Sequence, residues 1–172
     1  MTHSLEIRTA VDDDLVEQLA TLLVDAVDGG ASVSFLPPLD RDHATQFWRE
    51  LSVRPRGAIV IARVGDRIDG VVVLAPSWAP NQHHRAEVTK LLVHRRARRE
   101  GLAARLMTAL TEQARVAGFR LLTLNTPRGD HADGLYRKLG WCEVGVIPAY
   151  VRHGEGWRDT IVFYKQLTQN PS

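Results

Sequence analysis

Arg95, Arg96, Arg98 and Arg99 crowd into one short stretch of Val88-Thr89-Lys90-Leu91-Leu92-Val93-His94-Arg95-Arg96-Ala97-Arg98-Arg99-Glu100-Gly101-Leu102-Ala103-Ala104-Arg105-Leu106. The stretch reads as a strand end, a short basic loop, and a helix opening on Gly101, Ala103 and Ala104. Small residues at a helix start let a ligand approach its free N–H groups. Those groups, with the positive end of the helix dipole, bind phosphate. Arginine adds planar, bidentate contacts to an anion. The same residues also suit an ordinary helix start beside a solvated arginine run. Two phosphate motifs do not fit. The dinucleotide fingerprint needs G-x-G-x-x-G, and from Gly101 the chain supplies Ala103 and Ala104 instead. No Gly-Lys-Ser/Thr follows, which excludes a P-loop.

Other reactive side chains offer less. His83 and His84 are neighbours that point apart on an extended chain, without a carboxylate–histidine spacing for metal. Cys142 is the only cysteine, so neither an intrachain disulfide nor a cysteine metal cluster is expected. It shares a strand face with Val144 and Val146 and reads as core. No histidine lies near it in sequence, so it is not expected to carry an acyl group.

The elements that must position these residues follow from periodicity. Leu5 to Thr9 alternates as a strand. Asp12-Asp13-Asp14 begins a helix, with Glu17 in capping-box spacing from Asp14 and an apolar stripe of Leu15, Leu19, Leu22, Leu23 and Ala26. Gly29-Gly30 ends it, and a loop leads to a second helix after Asp40. Ala58–Val64 and Ile68–Ala75 form a hairpin about Gly65-Asp66. Strands are expected at 86–93, 121–124, 141–147 and 160–165, and helices at 101–117 and 132–139. The β–α–β units require parallel pairing and the hairpins antiparallel pairing, which gives an α/β (α+β) mixed sheet covered by helices.

The chain has 172 residues, 44% hydrophobic and 24% charged, which is room for one domain spanning 1–172 and excludes a disordered chain or a fibre. No stretch approaches the roughly 20 apolar residues of a membrane helix. The first residues lack the basic and apolar blocks of a signal peptide, so the cytoplasm is the expected location. Net charge is +2, yet lysine occurs only at 90, 138 and 165. The basic run at 95–99 is short and has no interleaved aromatics, so nucleic acid is not the expected partner.

Arg98-Arg99-Glu100-Gly101-Leu102-Ala103 resembles the R/Q-x-x-G-x-G/A motif of the GNAT acyl-CoA-dependent N-acetyltransferases. Gly134-Leu135-Tyr136-Arg137-Lys138-Leu139-Gly140-Trp141 is similar to that family's second signature, with tryptophan in place of the usual aromatic. The element order agrees along nearly the whole chain. Gly29 to Val33, Arg85 to Leu91 and Pro148-Ala149-Tyr150 further resemble the tabtoxin-resistance group of the family, which acts on a small toxin amine.

The resemblance implies a GNAT fold, a central mixed, splayed sheet of about seven strands flanked by about four helices. It implies acetyl-CoA as co-substrate, no metal, and direct acetyl transfer to the amine of a small molecule. Antibiotic or toxin detoxification is one such role. Transfer to a protein or peptide is the alternative within the family, and a non-catalytic acyl-CoA-binding module the alternative outside catalysis. Homodimers are common in the family. Acetyl-CoA would lie between 86–93 and 121–125, paired to the backbone of Leu91 and Val93, with an N–H near Leu92 polarising the thioester carbonyl. N–H groups of Arg99, Glu100, Gly101, Leu102, Ala103 and Ala104 would cradle the pyrophosphate, and Arg98 or Arg99 would add charge. Glu87 is the candidate base for the protonated amine, directly or through a water, or else an exposed glutamate paired with Lys90 or Arg85. Tyr136 is the candidate acid for the leaving thiolate, or else a core aromatic. The asparagine that the family often places seven residues before this tyrosine is Gly129 here, so Asn125 is the substitute contact to cofactor or substrate, or a turn former. Ser32, Ser34 and Tyr150 are candidate substrate contacts, and Trp78, His83 and His84 candidate residues of the substrate mouth.

Overall fold

Ala58-Ile59-Val60-Ile61-Ala62 is apolar at every position because both of its faces are covered. Ala58, Val60 and Ala62 enter one core cluster and Ile59 and Ile61 another, the period-two split that a strand imposes. The computed structural model, which describes residues 2–51 and 53–167, places this run in β2 (Ala58–Val64). Around it lies a seven-stranded sheet. Its strands are β1 (Ser4–Arg8), β2, β3 (Arg67–Pro76), β4 (Arg85–Val93), β5 (Leu121–Pro127), β7 (Gly156–Gln166) and β6 (Cys142–His153), in that spatial order. Only β4 and β5 run parallel; the other neighbours are antiparallel. The order of elements and the mixed sheet agree with the sequence reading.

Helices α1 (Asp13–Asp28) and α2 (Arg41–Glu50) bury Leu15, Leu19, Leu23 and Trp48 on one face of the sheet. On the other face, α3 (Leu102–Val116) buries Leu102, Leu106, Leu110 and Ala114, the stripe its spacing predicts. The short α4 (His131–Lys138) packs Tyr136 into the same core. Gly70 on β3 lets α3 come close: a Cβ there would stand 2.8 Å from Leu106 Cδ1.

The caps differ among the helices. Asp12 Oδ1 accepts from the Leu15 N–H at 2.9 Å and starts α1. The expected Asp14–Glu17 capping box is therefore corrected, because Asp12 is already in extended geometry and Glu17 turns out to Arg41. Asp40 and Asp130 cap α2 and α4 in the same way. Helix α3 begins on Gly101, at φ 75°, with no side-chain cap.

Two departures from a regular sheet shape its middle. Pairing of β4 with β5 covers only Arg85↔Leu121, Ala86↔Leu122 and Glu87↔Thr123, and then stops while both strands continue. On its other side β4 carries a bulge. Val71 pairs Leu92 and Val73 pairs Thr89, so Val72 faces both Lys90 and Leu91. Lys90 takes the left-handed φ of 53° there.

One expectation fails at the sheet edge. Cys142 is exposed, and Val144 and Val146 beside it are 66% and 39% exposed. β6 is the edge strand, and neither core cluster contains a residue of 142–153. Alternation there separates two open faces instead of a core from solvent. β6 and β7 are also longer than their apolar runs suggest, because they extend as a hairpin to 153–156.

Asp69 ties the loop after β4 to the body of the sheet. Its carboxylate, 3% exposed, accepts from Arg96 Nε at 2.7 Å and from Arg67, and meets His3 Nε2 at 3.0 Å. Burial alone raises this carboxyl, but the hydrogen bonds from His3, Arg67 and Arg96 outweigh it and hold the pKa below the usual range. Its stabilisation is therefore complete above the ordinary carboxylate pKa and is lost as pH falls through the depressed one. We expect Asp69→Asn to cost about 2 kcal/mol at neutral pH, with Arg67 and Arg96 partly rehydrated. In urea titrations the wild type and variant should converge as pH drops.

Candidate active site

A cleft lies at the β4–β5 fork, and several elements supply the residues that line it. The cleft is a cavity of about 660 Å³ walled by the loop after α1, by 87–93 of β4, by Asn125 and Thr126 of β5, by the start of α3, and by α4. The uncapped first turn of α3 opens onto it through Gly101, Leu102, Ala103 and Ala104. Helix N-termini leave N–H groups without intrahelical partners, and three other helices here satisfy one with an aspartate. At α3 no side chain does so, and the cavity takes its place. This arrangement favours an anion.

The four clustered arginines divide into two pairs. Arg95 is held by Asp25, which accepts its backbone N–H at 3.0 Å as well as its guanidinium. Arg96 is held by Asp69. Arg98 and Arg99 line the cavity. Arg98 Nε donates to the Val93 carbonyl at 3.2 Å, and its guanidinium reaches the end of α1, where a Cβ on Gly29 would meet Nη2 at 2.9 Å. Arg99, at φ 66°, and Gly101 both use left-handed backbone to turn the chain into the helix.

A carboxylate and a phenol also line the cavity. Glu87 is exposed, lines the cavity, and accepts from Asn125 Nδ2 at 3.4 Å. Tyr136 also lines it, with 6% exposure, its ring packed on Trp141 and Phe163. Burial first, and then the charge of Asp130, push the Tyr136 phenol well above its ordinary range, so it holds its proton.

The structure thus brings together Ser32, Ser34, Glu87, Leu91, Leu92, Val93, Arg98, Arg99, Gly101, Leu102, Ala103, Ala104, Asn125 and Tyr136. It does not bring Glu100 or Tyr150 to the cavity wall: Glu100 is exposed in the turn before α3, and Tyr150 is 51% exposed on β6. Trp78, His83 and His84 also lie outside the lining. Asn125 meets Glu87 rather than serving as a turn former. Asp130 and Lys90 are wall residues that the sequence reading leaves without a role in the site. Lysine's rarity in the chain was a signal for Lys90; nothing in the sequence marked Asp130 beyond its place after Gly129.

The family model of the acetyltransferase (GNAT) family matches residues 21–141. The chain belongs to that family. This GNAT chain is 34% identical over 103 residues to an uncharacterized N-acetyltransferase from the hisH-hisA intergenic region of Azospirillum brasilense. That match takes in 59% of the chain and 61% of the relative's length. Among solved structures it is similar to ribosomal-protein-alanine N-acetyltransferase from Brucella melitensis, with TM-score 0.77 and 22% identity, over 94% of this chain and 99% of that one. It is also similar to yncA from Salmonella typhimurium, solved with its cofactor acetyl-CoA, with TM-score 0.77 and 17% identity, over 98% and 97% of the two chains. At these identities the structural likenesses establish the GNAT fold. No helix among the described residues is long and apolar enough to cross a membrane.

Proposed function

We propose that this GNAT chain, acting through one catalytic domain over 1–172, transfers an acetyl group from acetyl-CoA directly to the amine of a small molecule. The observation that carries the reading is the cavity at the β4–β5 fork, whose lining includes both the uncapped start of α3 and Glu87. Acetyl-CoA supplies an acyl group already activated as a thioester. The residues present fit it. The N–H groups of Gly101 to Ala104, with Arg98 and Arg99, would hold its pyrophosphate. Among the described residues β4 has no strand partner beyond Glu87 on its β5 side, so the backbone of Leu91 and Val93 would hold the pantetheine arm. An N–H near Leu92 would face the carbonyl oxygen, where charge develops during transfer.

Glu87 takes the proton of the incoming ammonium and leaves a nucleophilic amine, with Asn125 fixing the carboxylate's direction. Tyr136 gives its proton to the departing thiolate, and the second proton lost by the acylated nitrogen restores the phenol. Ser32 and Ser34 line the acceptor side. The small-amine preference draws on the tabtoxin-resistance resemblance of 29–33 and 85–91.

The test is a panel of amines and N-terminal peptides offered with acetyl-CoA, read by free thiol release. Turnover of small amines supports the reading; turnover of peptides alone moves it to protein acetylation; no turnover on any acceptor defeats it. Glu87→Gln should lower kcat about 100-fold at neutral pH. The deficit should shrink as pH rises toward the amine's own pKa, because a neutral amine needs no base.

A further inference from the structure

Lys90 has no part in the transfer just described, yet it lines the same cavity, as do the two residues its ammonium donates to. It donates to the Val33 carbonyl at 3.1 Å and to Ser34 Oγ at 3.2 Å. It also lies 5.6 Å from the ring centre of Phe35 and 5.1 Å from that of Phe47. All four partners are neutral. The third N–H of the ammonium has no acceptor among the described residues. The contrast with the arginines is plain: Arg95, Arg96 and Arg137 each hold a carboxylate.

A half-buried charge without a counterion is unfavourable, and burial lowers the Lys90 pKa against the opposing pull of Glu87. The backbone adds to that cost, because Lys90 is the left-handed residue of the β4 bulge. Both costs are met at the cavity wall, which is where strain points to a ligand.

The cavity divides by charge. Arg98, Arg99 and the start of α3 form the end suited to phosphates. Lys90 instead donates to Val33 and Ser34 of the loop after α1 and lies by the rings of Phe35 and Phe47. Glu87 stands on the same strand, three residues away, close enough for its charge to act on Lys90 but not paired with it. The acceptor side therefore presents one anion and one unpaired cation.

We propose that the acceptor is a zwitterion, a small amine carrying a carboxylate close to its amino group. Its ammonium lies at Glu87 and its carboxylate takes the open donor of Lys90. This rests on the small-amine acetyl transfer proposed above and names the substrate class for it. Ester or amide formation at that carboxylate removes the charge that Lys90 recognises.

The experiment offers free amino acids, each beside its methyl ester and its decarboxylated amine, with acetyl-CoA and a thiol readout. The wild type should favour the free acid over its ester by about 10- to 100-fold in kcat/KM, mainly through KM. In Lys90→Met the acid-to-ester ratio should fall to near one, while Lys90→Arg keeps it. Calorimetric binding of acetyl-CoA to each variant checks that the cavity is intact. Equal turnover of acids and esters by the wild type, or an unchanged ratio in Lys90→Met, overturns the zwitterion and leaves the acetyltransferase standing. No turnover of acid, ester or amine removes small-amine transfer first, and this inference with it.

Discussion

Tyr136→Phe should lower kcat about 100- to 1000-fold while acetyl-CoA binds as it does to the wild type. The ring is what the core requires: it packs at 6.2 Å on Trp141 and 5.8 Å on Phe163. Phenylalanine keeps those contacts and removes only the hydroxyl. Burial and the Asp130 carboxylate raise the phenol pKa, so the proton is present throughout the working range. A raised acid of this kind leaves the alkaline limb of the pH–rate profile to other groups. The variant's profile should therefore keep the wild-type shape at a reduced height. Steady-state kinetics across pH, with calorimetry for acetyl-CoA, check both points. An unchanged kcat would assign Tyr136 to packing alone.

Ala103→Glu should separate stability from binding. Ala103 lies in the first turn of α3 and lines the cavity. A glutamate there meets the positive end of the helix dipole and should stabilise the protein by about 0.3–1 kcal/mol. The same carboxylate occupies the place where the pyrophosphate would lie and repels it. Acetyl-CoA affinity should fall by about 100-fold or more, a loss on the order of 3 kcal/mol. Thermal melts and calorimetry on one preparation give both signs. Weaker folding together with unchanged affinity would show that this turn does not receive the phosphates.

Local pattern made much of this legible in advance. The stripe Leu102, Leu106, Leu110 and Ala114 marked α3 and its inner face, and the glycine and alanines at its start marked a turn that lines the cavity. What eluded the sequence depends on long-range pairing. The β4 bulge exists only in register with β3, so neither the turn of Lys90 nor its reach to Val33 shows in spacing. The division of the arginines depends on Asp25 and Asp69, which lie 70 and 27 residues away from their partners. Cys142, Val144 and Val146 alternate as a buried strand would, but β6 ends the sheet and no described element covers it. Tyr150 carried a family likeness in sequence, and the hairpin places it away from the cavity wall.

The halted pairing between β4 and β5 bears on how the fold responds to its ligand. Three residue pairs join the two strands directly, where a continuous ladder would run their full length. A ligand arm lying in that gap adds cross-bracing between the halves of the sheet. Occupancy and cohesion are then thermodynamically linked, and the melting temperature becomes a reading of ligand concentration, rising by the logarithm of its excess over Kd. If acetyl-CoA is that ligand, as proposed above, susceptibility to proteolysis should fall as acetyl-CoA is added.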